Sequence, residues 1–112
     1  MEEGAPAGYE IARQRILAVV GNKPTSLDLE GLQLASLPPE LDQLTTLTTL
    51  NLNNNQLTAL PTTFTKLAEL QTLTLRGNQF TSLPAQLSRL PNLRVLDAGG
   101  NSIQGRPPPS LS

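Results

Sequence analysis

Apolar residues recur along this chain at one fixed interval. Leu47, Leu50, Leu52 and Leu57 return as Leu70, Leu73, Leu75 and Phe80, and again as Leu93, Leu96, Ala98 and Ile103, each copy 23 residues after the last. Polar positions keep the same beat, because Asn55, Asn78 and Asn101 close the three copies. An earlier copy holds Leu27, Leu29, Leu34, Leu37, Leu41 and Leu44. These align with Leu50, Leu52, Leu57, Leu60, Phe64 and Leu67, and then with Leu73, Leu75, Phe80, Leu83, Leu87 and Leu90. In that first copy Pro24 takes the leading slot and Leu32 stands where later copies have Asn. A unit of this period cannot bury its apolar face alone and must stack on its neighbours, so the pattern predicts a solenoid. The units are 24–46, 47–69, 70–92 and a partial 93–105.

Within each unit the segments Ser26–Leu29, Thr49–Leu52, Thr72–Leu75 and Val95–Ala98 alternate as strands do. One strand per unit, always followed by the same return path, predicts a parallel sheet. The return path carries Leu-Pro at 37–38, 60–61 and 83–84. Proline fixes its own φ and pushes the preceding residue toward extended geometry, so extended or 3₁₀ connections are expected there. Asn55, Asn78 and Asn101 are expected to turn inward and bond backbone groups of the turn and of the next repeat. The turn near Leu32 lacks its own Asn, and a helical cap is expected to satisfy it instead.

That cap is predicted over 9–23. Ala12, Ile16, Val19 and Val20 fall on one helical stripe with Tyr9 one turn earlier, and Gly21-Asn22 followed by Pro24 is a helix stop. Residues 1–8 read as a loose tail and 106–112 as a proline-rich one.

Composition narrows the function. The 112-residue chain has a net charge of −1 and 3% aromatic residues, which argues against nucleic acid as a partner. Cysteine and histidine are both absent, so thiol catalysis, disulfides and thiolate or imidazole metal sites are excluded, and no cofactor or metal is expected. No apolar run reaches the ~18 residues of a membrane span. The acidic start, Met-Glu-Glu-Gly, is unlike a secretory signal. The chain is therefore read as cytoplasmic, without membrane insertion.

The repeated L-x-x-L-x-L-x-x-N-x-L, followed by x-x-L-P-x-x-L-x-x-L, resembles the leucine-rich repeat family over about residues 24–105. The Leu-Pro pair and the 23-residue length are similar to the subclass found in bacterial effector, Roco and Ras-suppressor-like repeat proteins. The resemblance implies an α/β solenoid: a short right-handed superhelix with a parallel concave sheet and an N-terminal capping helix. It also implies a non-catalytic module that binds another protein, of unknown identity, through that concave face. Activities of some relatives find no residues here. A cysteine nucleophile is missing, no G-x-x-x-x-G-K-[ST] loop is present, and Gly21-Asn22-Lys23-Pro24-Thr25 has Thr where a guanine-reading Asn-Lys-x-Asp has its Asp.

By the family's pattern, the third, fifth, seventh and eighth positions of each motif face the concave side. The partner-binding candidates are then Asp28, Glu30, Asn51, Asn53, Thr74, Arg76 and Asp97. Arg76 is the only cation expected on this face, either as an anchor for a partner's carboxylate or bridged to Asp97 or Glu30. Asp28 and Asp97 lie three strands apart, roughly 15 Å by strand spacing, which is too far for an acid–base pair. The alternative function is structural. Ala98 replaces a core Leu, and Arg106 precedes Pro107-Pro108-Pro109, so a weak C-terminal edge suggests a self-associating homodimer.

Overall fold

The computed structural model describes residues 7–103. Helix α1 runs Ala7–Val19 and is followed by four strands, β1 (Ser26–Asp28), β2 (Thr49–Asn51), β3 (Thr72–Thr74) and β4 (Val95–Asp97). The strands form one parallel sheet in the order β1-β2-β3-β4. Register is the repeat itself: Leu27 pairs with Leu50, Leu50 with Leu73 and Leu73 with Leu96. The chain is thus an α/β solenoid.

Between strands, 3₁₀ turns at Pro39–Gln43, Thr62–Lys66 and Ala85–Arg89 line the opposite side. Each begins from the proline of a Leu-Pro pair. Pro38, Pro61 and Pro84 sit at φ −60°, −66° and −60°. Their carbonyls accept from Leu41, Phe64 and Leu87 N–H at 3.0–3.1 Å, which closes the first turn. Leu41, Phe64 and Leu87 then drop into the core.

Between sheet and turns lies a single stack of Leu, closed by Phe64 and Phe80. Leu50, Leu52, Leu73 and Leu75 are all 0% exposed. Ala12 and Ile16 seal its N-terminal end at 0% exposure. Helix α1 begins at Ala7, so Ala7 and Gly8, expected in the tail, belong to the helix. The reason is contact: a side chain at Gly8 would run into the Leu32 carbonyl, so glycine lets the helix lie on that backbone. Arg13 Nε donates to Glu40 Oε2 at 2.9 Å and ties the helix to the first 3₁₀ turn. The Glu40 carboxyl is held below its ordinary range by its own backbone N–H and then by Arg13, whose own pKa rises in turn, mainly through its bond to Glu40.

The asparagines turn inward, but they bond the preceding repeat rather than the next. Asn55 Oδ1 accepts from Leu32 and Leu34 N–H, both at 3.0 Å, and its Nδ2 donates to the Leu29 and Leu52 carbonyls at 3.0 Å. Asn78 and Asn101 reach back in the same way, accepting from Leu57 at 3.0 Å and Phe80 at 3.1 Å. This corrects the expectation for repeat one. Its turn at Leu32 needs neither its own Asn nor the helix, because Asn55 supplies the acceptor. The proline-rich segment 106–112, and Arg106 with it, lies outside the described residues.

Candidate functional site

The concave face is built from the strand residues whose side chains point away from the core and from the turn that follows each strand. That turn has a fixed shape. Gly31, Asn54, Gly77 and Gly100 occupy equivalent positions with φ of 70°, 60°, 71° and 69°. Three glycines and one asparagine at a recurring left-handed position are what that geometry selects. They are the eighth positions of the motif, expected on the concave side. Their recurring Gly/Asn identity was the available sign that they are conformational.

The predicted residues fall mostly into two neighbouring columns, and most of them are already bonded. Asp28 Oδ1 accepts from Glu30 N–H at 2.9 Å, Asn51 Oδ1 from Asn53 N–H at 2.9 Å, and Asp97 Oδ1 from Gly99 N–H at 3.1 Å. These are Asx turns, in which a short acceptor side chain replaces a backbone acceptor as the strand ends. Thr74 does not make the equivalent turn. Its hydroxyl donates sideways to Asn51 Oδ1 at 3.2 Å, while Asn53 Oδ1 crosses over to take the Arg76 N–H at 2.8 Å. Glu30 is held by two carboxamides, Asn51 Nδ2 at 3.0 Å and Asn54 Nδ2 at 3.1 Å. The columns are therefore a connected ladder that fixes the side chains before any partner arrives.

Arg76 bridges to Asp97, with Nη1 at 3.2 Å from Oδ1, and the two side chains remain 59% and 44% exposed. The Asp97 carboxyl titrates below its ordinary value, first because of the Gly99 N–H and then because of Arg76, against the opposing effect of partial burial. Asp28 and Asp97 stand at the two ends of the register Asp28–Asn51–Thr74–Asp97 and do not meet.

Arg76 is not the only cation here. Arg15, from α1, donates Nη1 to the Asp28 carbonyl at 2.7 Å. It joins Asp28 in lining a groove of about 550 Å³ between the helix and β1. Nothing in the sequence pointed to it, since the contact depends on how α1 is set against the sheet. Among the described residues, no helix is long and apolar enough to cross a membrane.

The sequence model of the leucine rich repeat family matches residues 23–80 and again 45–103. No curated protein matches significantly. Among solved structures, the leucine-rich repeat domain of the type III effector XopL superposes with a TM-score of 0.78 at 24% identity, over 97% of this chain and 37% of that one. An internalin, InlF of Listeria monocytogenes, does so with a TM-score of 0.65 at 26% identity, over 90% of this chain and 34% of its own. This chain spans little more than a third of either, and the likeness is one of fold. With the repeated motif, the parallel strand register and the asparagine ladder, these matches establish that the chain belongs to the leucine-rich repeat family.

Proposed function

We propose that this chain is a non-catalytic protein-binding module that meets its partner on the concave face, through Asp28, Glu30, Asn51, Asn53, Thr74, Arg76 and Asp97. Membership of a repeat family of interaction modules supports the general reading. The observation that carries the specific one is the bonded ladder of carboxylates and carboxamides along that face. Side chains already held in place lose little conformational freedom on binding, which favours affinity through surface complementarity. Arg76, more than half exposed and held by one bond to Asp97, keeps donors for a partner's carboxylate. Four strands give a short face, which suits a standard-size or smaller contact.

The test is capture of partners from source-cell lysate by the native chain and by an Arg76→Glu variant. The side chain is exposed, so the fold should survive. A protein held by the native chain and lost by the variant supports the concave face. Equal capture by both sinks it.

A second reading is self-association through the C-terminal edge. One gradient favours it: Leu73 and Leu75 are 0% exposed, their successors Leu96 and Ala98 are only partly buried, and Val95 is 53% exposed. Sedimentation mass across concentration, with Ala98→Arg as the disrupting variant, separates the two readings.

A further inference from the structure

The outer edge of β1 is closed differently from the interior of the sheet. Within the sheet, Leu29 N–H donates to the Asn51 carbonyl at 2.9 Å and Thr49 N–H to the Thr25 carbonyl at 3.0 Å, so residues 25, 27 and 29 direct their main chain toward β2. A strand alternates, so Ser26 and Asp28 direct theirs outward. One of those outward groups is capped, because Arg15 Nη1 stands on the Asp28 carbonyl where a further strand would place an N–H. Among the described residues, Ser26 N–H, Ser26 C=O and Asp28 N–H have no partner.

Helix α1 reaches this edge only with the Arg15 side chain. It packs on the first 3₁₀ turn and on the Leu32 backbone. Leu27 is left partly exposed, whereas its register partners Leu50 and Leu73 are 0% exposed. The result is the groove of about 550 Å³, with Arg15, Ala18 and Val19 on one wall, Ser26, Leu27 and Asp28 on the other, and Thr49 and Asn51 of β2 where it opens onto the concave face. The edge is short, and Asp28 and the Arg15 cap restrict it, but Ser26-Leu27-Asp28 has no proline or bulge that would bar a paired segment of a few residues.

We propose that this groove binds an extended segment of a partner protein, which joins the sheet as an added strand on the outer edge of β1. The occupant follows from what the groove lacks. A row of unpaired main-chain groups beside an apolar wall calls for a ligand whose own N–H and C=O are free, and a helix has already used its own. The segment pairs with Ser26 and Asp28 over a few residues. It has no proline at the paired positions, and it sets a small or β-branched apolar side chain on Ala18, Val19 and Leu27. The groove shares Asp28 and Asn51 with the ladder but not Arg76, so the Arg76→Glu protein separates the failure of one reading from the failure of the other.

The experiment selects binders from a phage-displayed library of random 12-residue peptides and measures them as synthetic peptides on the full chain. Four proteins are compared: native, Ser26→Pro, Ala18→Arg and Arg76→Glu. Ser26→Pro removes an outward N–H while also fixing φ at that position, and Ala18→Arg fills the groove from an exposed helix position without altering the strand's sequence. The expected result is binding lost when alternate peptide residues are N-methylated, weakened at least about tenfold by each of the first two variants and unchanged by Arg76→Glu. If no peptide is selected, if N-methylation shows no alternation, or if both groove variants bind normally, the proposal is overturned. Binding lost only in Arg76→Glu overturns it in favour of the concave face. Self-association that disappears in Ser26→Pro assigns the edge to a second copy and overturns the partner assignment.

Discussion

Replacing Asn55 with alanine should be among the most damaging single changes in the chain. Asn55 is 5% exposed and serves two repeats at once. Its Oδ1 accepts from Leu32 and Leu34 N–H at 3.0 Å, and its Nδ2 reaches the carbonyls of Leu29, Leu52 and Asn53 at 3.0–3.2 Å. Alanine leaves all of these unpaired at the side-chain end. Each buried donor left without a partner costs about 1–3 kcal/mol, so the two N–H groups alone imply about 2–6 kcal/mol. Domains of this size have a total stability on the order of 5–15 kcal/mol.

Asn101 provides the internal comparison. It is only partly buried, and its Oδ1 serves the Phe80 N–H alone. Asn101→Ala should therefore cost about half as much, about 1–3 kcal/mol. Urea unfolding followed by circular dichroism measures both. With a slope of about 1–3 kcal/mol per molar, a 3 kcal/mol loss moves the midpoint by about 1–3 M. Amide exchange should show Leu32 and Leu34 losing protection in Asn55→Ala while Leu57, bonded to Asn78, keeps its own. The reasoning is refuted if Asn55→Ala costs under about 1 kcal/mol, or if Asn101→Ala costs as much.

Other expectations follow from the turns, the cap and the surface pair. Gly77→Ala should lose about 1–2 kcal/mol in the same assay, because φ is +71° and the new Cβ meets the Asn54 side chain. Gly31→Asn should be nearly neutral, since Asn54 already occupies the equivalent position at φ 60°. Gly8→Ala should drive α1 off the Leu32 carbonyl, seen as early exchange of helix amides at unchanged protection in β3. Glu40 has a lowered folded-state pKa, so its contribution is present above the ordinary value of 4.5 and is lost as pH falls below it. Glu40→Gln should therefore flatten the acid limb of the stability profile, and an unchanged limb would remove the Arg13–Glu40 tie from the account. Arg76→Gln should move Asp97 back toward its ordinary pKa by NMR titration, with at most about 1 kcal/mol of stability lost at an exposed pair.

Much of the fold was legible because its packing is local and repeated. Leu50 and Leu73 name their own strand, their own register and their own burial by recurring at one interval, and Pro38, Pro61 and Pro84 name the 3₁₀ starts. What escaped was direction and contact between separate elements. That Asn55 serves the turn behind it depends on how one coil sits on another, which spacing alone does not specify. Arg15 meets Asp28 only once the helix is set against the sheet. The candidate surface was legible as a set of positions. Its Asx turns and cross-strand bonds were not, because they need both an Asp or Asn and the backbone geometry at the strand's exit, which spacing alone does not give. Asp28 and Asn51 looked like free recognition groups and prove to be holding the backbone as well.

The backward reach of the asparagines gives the solenoid an order of completion. A turn is finished by a residue 21–26 positions later in the chain, as Asn55 finishes the segment at Leu29–Leu34. A coil leaving the ribosome therefore carries buried donors without acceptors until about one further repeat has emerged, a matter of seconds at ~5–20 residues per second. For the N–H groups that the asparagines serve, each coil depends on its successor. Shortening the chain from its C-terminal side should loosen one intact coil beyond the cut. Shortening it from the other side leaves every remaining asparagine-served N–H with its acceptor, and frees instead donors such as Gln56 N–H, whose acceptor is the Leu34 carbonyl.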